Sequence, residues 1–289
     1  MYPTAVQING IIDNALSEDA PWGDITSETL IPSDARATAT LTAREDGVFS
    51  GGPVFAATFQ RVDPATCVVL RVTDGTGFRS GDILAKVSGT ARSVLRAERV
   101  GLNFVQRMSG IATLTDRYVT AVDGTGARIV DTRKTTPGLR VLEKKAVRDG
   151  GGHNHRATLS DAVMVKDNHL TVLTAGGLSV TETLRQMRER LPHTTHIEVE
   201  VDRLDQIPAV LAAGVDTIML DNFTLYQLRA GVAAIGGAAL VEASGGIDLT
   251  TVREVAATGV DLISVGSLTH SARAIDLGLD ITVCPDERQ

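Results

Sequence analysis

The chain reads as an α/β protein in which a small α+β module precedes a longer region of alternating strands and helices around a parallel sheet. Three observations lead there. Six apolar runs rich in β-branched residues, at 127–130, 162–165, 197–199, 217–220, 238–241 and 262–265, each end in a polar cluster. Continuous runs of this kind fit strands buried on both faces. Helical periodicities at 137–148, 180–190, 204–213, 225–235 and 250–258 separate them, with Gly214, Gly236 and Gly259 where helix stops are expected. The first 105 or so residues lack this alternation.

Taken in order, Val6, Ile8, Ile11, Ile12 and Leu16 form one face of a short helix. Strands follow at 37–43, 68–72 and 83–87, punctuated by Asp46-Gly47, Gly51-Gly52, Asp74-Gly75 and Ser80-Gly81-Asp82. The last two lie too close for an intervening helix, so a small antiparallel sheet is predicted. A long helix begins near Ser93, where Leu95, Leu102, Val105, Met108, Ile111, Leu114 and Tyr118 recur at helical spacing, and it bridges the two regions. Six later strands are fewer than the eight of a closed barrel, so an incomplete barrel and an open sheet both fit. Either arrangement gathers the strand carboxyl ends on one rim.

A chain of 289 residues can hold one large or two ordinary domains with a full core. Its formal net charge of −7 gives no general attraction to nucleic acid or anionic lipid. Cys67 and Cys284 stand far apart without paired spacing, which argues against a disulfide framework or zinc site and suits a reducing cytoplasm. No apolar stretch approaches the roughly 20 residues of a membrane span, and the start lacks the pattern of a signal peptide.

Arg133, Lys134, His155, Arg156 and Lys166 fall at or just beyond predicted strand ends, and Arg99 lies on the earlier long helix. Two unit charges ~5 Å apart repel by about 3 kcal/mol at an effective dielectric near 20. Five cations on one rim therefore ask for an anion carrying several charges, and arginine suits carboxylate or phosphate. Arg140, Lys144, Lys145 and Arg148 read instead as a solvated helix face. Residues 150–156 form a glycine-rich turn; His153, His155 and His169 could ligate a metal, although no acid or cysteine lies at a usual zinc spacing.

Glu200 and Asp221 end adjacent strands and can face one mouth, where such carboxylates suit Mg²⁺ or neutralise the cations. Glu198 and Asp202 continue the same face and rank below Glu200. Ser244-Gly245-Gly246 and Gly266-Ser267, with His270 beyond, end the last two strands, the usual position of a phosphate cradle in (β/α) barrels.

The strings Asp131-Thr132-Arg133-Lys134-Thr135-Thr136-Pro137-Gly138-Leu139-Arg140, Gly150-Gly151-Gly152-His153-Asn154-His155-Arg156, Lys166-Asp167-Asn168-His169 and Glu198-Val199-Glu200-Val201-Asp202 resemble the quinolinate phosphoribosyltransferase family. So do Leu220-Asp221-Asn222, Glu242-Ala243-Ser244-Gly245-Gly246-Ile247 and Gly266-Ser267-Leu268-Thr269-His270-Ser271, with Trp22-Gly23-Asp24-Ile25-Thr26 and Ala97-Glu98-Arg99 upstream. The resemblance covers essentially the whole chain. It implies an N-terminal α/β sandwich over 1–105, with the tail 275–289 packed on it, joined to an incomplete (β/α) barrel over 106–274. It implies a homodimer, with higher assembly open, in which Arg99 reaches the partner's site.

Carried over by position, Arg133, His155, Arg156 and Lys166 would hold the carboxylates of quinolinate. Lys134, Glu200 and Asp221 would be catalytic, facing the ribose and Mg²⁺ of phosphoribosyl pyrophosphate. Ser244, Gly245, Gly246, Gly266, Ser267 and His270 would surround its 5-phosphate. The implied reaction yields nicotinate mononucleotide, pyrophosphate and carbon dioxide. Thr158 stands where the family commonly has glycine and Lys145 where it commonly has an aromatic. Read without the resemblance, the rim also allows a barrel aldolase using Lys166 as a Schiff-base lysine, or a non-enzymatic anion binder.

Overall fold

Thr4 opens the first helix, α1 (Ala5–Asp19), as one half of a capping box whose other half is Gln7. Asp24 caps α2 (Ile25–Leu30) by accepting from the Thr26 and Ser27 amides. Then come β1 (Arg36–Ala43), β2 (Gly47–Val48), α3 (Gly52–Val62), β3 (Cys67–Leu70), β4 (Gly77–Phe78), β5 (Ile83–Thr90) and the long α4 (Ala91–Ala121). The alternating region holds β6 (Arg128–Val130), α5 (Arg140–Asp149), β7 (Val163–Val165), α6 (Asp167–Thr174), α7 (Val180–Glu189) and β8 (Ile197–Val201). It continues through α8 (Ile207–Leu211), β9 (Thr217–Asp221), α9 (Leu225–Ile235), β10 (Leu240–Ser244), α10 (Val252–Ala256), β11 (Leu262–Ser264) and α11 (Ser267–His270), and β12 (Leu277–Val283) closes the order. The computed structural model describes residues 3–174, 177 and 179–283.

Two compact units interleave along the chain. One comprises Met1–Asp116, Thr135–Gly151 and Leu268–Gln289; the other comprises Arg117–Lys134 and Gly152–Ser267. In the first, an antiparallel sheet runs β12-β1-β5-β3. β1 alternates buried and less buried residues because only one of its faces meets the core. That core includes Leu41, Phe49, Phe55, Phe59, Leu84, Val94 and Leu277. Each fully buried side chain of this size contributes about 1.5–3 kcal/mol. The sequence reading missed α2, α3 and β12, and took Gly51-Gly52 only as a turn. Gly51 is indeed in a left-handed conformation, but it serves as the N-cap of α3.

The sequence reading also put Lys144 and Lys145 on a solvated face, and this is corrected. Lys144 is 2% exposed. Lys145 donates to Asp149 at 2.6 Å and to Asp74, whose other oxygen accepts from the Gly52 amide at the start of α3. Burial lowers the Lys145 pKa, but these two carboxylates outweigh it and leave it raised. The position where the resemblance leads one to expect an aromatic thus carries a partly buried ion-pair network. Cys67 is an exposed free thiol, while Cys284 and the rest of 284–289 lie outside the described residues.

In the second unit six strands pair in parallel in the order β6-β11-β10-β9-β8-β7. From β7 to β11 every crossover moves one place in the same direction, and the first strand then pairs with the last. With right-handed crossovers, unidirectional winding puts the helices on one face and rolls the other inward. The result is a barrel open only between β6 and β7. Beside β6 the backbone of His153 forms a parallel bridge to Val130. The strand expected at 238–241 is displaced to Leu240–Ser244, because Gly236 and Gly237 are still turning at positive φ. Glu242 consequently sits within the strand.

Two glycine substitutions test the packing of the first unit. A Cβ on Gly110 in α4 would lie 1.9 Å from the Arg273 carbonyl oxygen, whereas one on Gly10 in α1 meets nothing within 4 Å. Gly110→Ala should destabilise by about 1–3 kcal/mol. Gly10→Ala should stabilise by about 0.4–1 kcal/mol. Urea unfolding of both variants checks the pair.

Candidate active site

The carboxyl ends of the barrel strands enclose a cavity of about 440 Å³. Side chains alternate along each strand, so Glu200, Asp221, Ser244 and Ser264 line its wall with Met164 and Met219. Arg133, Lys134, His155, Arg156 and Lys166 line it too. The five basic residues singled out in the sequence therefore meet around one hollow, and both acids face it with them. Lys166 donates to Glu200 Oε2. Half-buried and held against Glu200, Lys166 stands as one member of an ion pair on the rim.

The loop bearing His155 and Arg156 is fixed from beneath by Asp131. Fully buried after β6, Asp131 accepts from the His155 amide at 2.8 Å and from Asn154 Nδ2 at 2.7 Å. Arg156 Nη1 donates to the Ala162 carbonyl at 3.1 Å. Burial first, and then the neighbouring Arg133, hold the Arg156 guanidinium below its usual pKa. The Thr158 hydroxyl donates to Asp161, which also accepts from the Ala157 and Thr158 amides, so threonine closes the turn after Arg156.

Beneath the basic rim lies a buried group that the sequence reading did not assemble. His155 Nε2 is 2.7 Å from Glu198 Oε2 and 3.8 Å from Glu242 Oε2, and both acids are almost fully buried. A histidine with two carboxylates has the composition of a small metal centre. Its hydrogen bonds argue otherwise. The Arg156 amide donates to His155 Nδ1 at 2.7 Å and Nε2 faces Glu198, so both ring nitrogens are engaged within the protein. His155 does not group with His153 and His169 among the described residues. Burial, followed by the Glu198 charge, pushes Glu242 up to about 8.

The other predicted residues are less concentrated. Gly245 and Gly246 line a separate cavity of about 220 Å³ with Ser244 and the start of α9. Gly245 has φ of 101°, and a Cβ there would lie 2.2 Å from Asn222 Oδ1, so no other residue fits this turn. Ser267 opens α11 within 3.4 Å of the Tyr118 hydroxyl, and exposed His270 bonds Ser271. Gly266, Ser267 and His270 line none of these cavities. Arg99 is exposed on α4 and also stands outside the main cavity. Asp131 and Glu242 went unassigned and Glu198 was ranked below Glu200, yet the three share one signal: an acid inside or directly ending a strand that reads as buried on both faces.

Glu242 makes the fold pH-sensitive. Because its folded pKa is raised, the native state keeps a proton that the unfolded chain releases above about 4.3. Stability from this group is therefore lost as pH rises from there toward about 8. Urea denaturation between pH 5 and pH 8 should show that decline in the parent protein and a flatter profile for Glu242→Gln.

Family models for the quinolinate phosphoribosyl transferase N-terminal and C-terminal domains match residues 24–109 and 111–280. A nicotinate-nucleotide pyrophosphorylase [carboxylating] of Mycobacterium leprae is 44% identical over 276 residues, covering 93% of this chain and 95% of the relative. A probable enzyme of the same description from Bacillus subtilis is 38% identical over 278 residues, covering 96% and 94%. The crystal structure of NadC from Streptococcus pyogenes superposes with a TM-score of 0.93 at 40% identity, covering 98% of this chain and 99% of that one. With both domains matched in order over nearly its whole length, the chain belongs to the quinolinate phosphoribosyltransferase family.

Proposed function

We propose that this protein transfers the phosphoribosyl group of phosphoribosyl pyrophosphate to quinolinate with decarboxylation, giving nicotinate mononucleotide, pyrophosphate and carbon dioxide in de novo NAD biosynthesis. The observation that carries this reading is the convergence of Arg133, Arg156 and Lys166 with Glu200 and Asp221 on one cavity. The three cations suit a ring bearing two adjacent carboxylates, and His155 orders the loop beside them. Ser244, Gly245 and Gly246, with Gly266, Ser267 and His270, are assigned to the 5-phosphate.

Departure of pyrophosphate leaves positive charge on the ribose, which Glu200 and Asp221 stabilise from the adjacent strands β8 and β9. The pyridine nitrogen forms the new bond to the anomeric carbon and becomes quaternary. The cationic ring then takes the electron pair released when the neighbouring carboxylate leaves as carbon dioxide. A proton must return to that carbon, and Lys134 at the mouth is assigned to deliver it. Glu200 and Asp221 offer hard oxygen donors on one wall and fit Mg²⁺, which when bound neutralises the departing pyrophosphate.

The working unit in this proposal is a homodimer in which Arg99 completes the quinolinate site of the partner. Its exposure supports that assignment, as do exposed Trp22, Ile25 and Leu30. No helix among the described residues is long and apolar enough to cross a membrane. Together with the free Cys67 thiol, this supports a cytoplasmic location.

Incubating the protein with quinolinate, phosphoribosyl pyrophosphate and Mg²⁺ should generate nicotinate mononucleotide. Nicotinate, which leaves part of the cation set unpaired, should be used at least about 10⁴-fold less efficiently. Comparable turnover would favour a paralogue acting on the monoacid. Arg133→Ala should raise the KM for quinolinate by about 10- to 100-fold, the worth of a charge-assisted bond. The KM for phosphoribosyl pyrophosphate should stay within about threefold, since that ligand lies on the acid side. Equal losses would remove Arg133 from the quinolinate role.

A further inference from the structure

Arg107 and Glu143 touch none of the residues assigned to substrate, yet they lie between two chain segments that carry them. Glu143, on α5, is 1% exposed. One of its oxygens accepts from the Thr136 amide at 3.0 Å, and the other accepts from the Thr136 hydroxyl at 2.8 Å. Thr136 is two residues beyond Lys134. The second of those oxygens also accepts from Arg107 Nε at 3.1 Å and Nη2 at 2.8 Å. Arg107 in turn donates to the Thr269 carbonyl, next to His270, and to the Ala272 carbonyl at 2.6 Å.

The same face of α4 laces down the rest of that segment. Gln106 Nε2 donates to the Leu277 carbonyl at 2.7 Å, and Gly110 leaves no room for a Cβ against Arg273. Arg140 reinforces the other segment by donating to the Thr135 hydroxyl at 2.9 Å. The chain passes between its two compact units at Lys134/Thr135 and again at Ser267/Leu268. The ion pair grips the backbone within two residues of both passages.

We infer that the Arg107–Glu143 pair is a clasp that positions the Arg133–Lys134 segment and the Ser267–His270 segment as one unit. It thereby couples the quinolinate side of the site to the 5-phosphate side. Both residues are positioning residues, because neither contacts a group assigned to react. The inference rests on the substrate assignment only for what the coupling accomplishes. The clasp itself consists of hydrogen bonds alone.

Guanidinium geometry is required. Only a planar fork can hold a carboxylate and two carbonyls at once, whereas an ammonium on a flexible stem cannot span all three. Glutamine at 143 would lose the charge and replace one of the two acceptor oxygens with a donor.

Amide hydrogen exchange on the full-length Arg107→Lys and Glu143→Gln proteins tests the clasp without any ligand. Both variants should speed exchange about tenfold or more in 132–136 and in 267–272, the cost of a charge-assisted bond. The decisive signals are the crossed ones: 132–136 loosened by the Arg107 change, and 267–272 loosened by the Glu143 change. Exchange confined to the segment each residue touches would overturn the inference. Should either variant fail to fold, exposed Thr136→Val removes a single hydroxyl. It should raise the KM for quinolinate severalfold with a smaller change in kcat. Kinetics within twofold of the parent protein would count against the clasp. If the parent forms no nicotinate mononucleotide, the substrate assignment falls while the exchange result still decides the clasp.

Discussion

Crowding positive charge around one hollow is the constraint on which this site depends. Arg133, Arg156 and Lys166 share a cavity of about 440 Å³, and burial with charge repulsion already lowers the Arg156 pKa. Such an arrangement persists without ligand only if acids answer it. Glu200 does so directly through Lys166, and Glu198 bears on Arg156 from below. Glu198 and Glu242, both buried and close together, would repel each other, and the protein relieves this by keeping Glu242 protonated up to about 8. The remaining negative charge is enough to steady the rim and small enough to leave it attractive to an anion.

The barrel makes this balance possible because its strands are short and its wall is open. Strands of three to five residues expose a polar interior on one side of the sheet, where Glu198, Thr217 and Glu242 occupy positions that would be apolar in a closed core. The gap between β6 and β7 admits the 150–156 loop, whose His153 backbone pairs with β6. Asp131 then fixes the loop by its amides, so the placement of Arg156 relies on buried hydrogen bonds rather than on the charges it will use. Binding groups held this way need little reorganisation when substrate arrives.

Much of this was legible before any coordinates. The parallel strands announced themselves as apolar runs ending in charge, and five basic residues at those ends pointed to one anion site. The resemblance added roles to residues that spacing had only collected. What escaped notice has a common cause: local pattern does not report burial. Lys144 and Lys145 look like a solvated helix face until α5 is found with its lysines turned inward, one of them onto Asp74, 71 residues away in sequence. β12 follows an irregular segment, and its strand character comes from pairing with β1 across the chain.

By itself the sequence determined the alternation of strands and helices in the later region, the parallel class of its sheet, and which charged residues stand at strand ends, because side-chain periodicity and turn chemistry are local. It also carried the family, because the motifs are contiguous strings. Only the tertiary structure decided that the sheet closes into a barrel lacking one seam, since that depends on β6 pairing with β11 rather than with its neighbour in sequence. It alone gave the two ring nitrogens of His155 their partners. Which ring nitrogen holds the proton is set by what each nitrogen faces, and the two partners, the Arg156 amide and Glu198, meet only after folding.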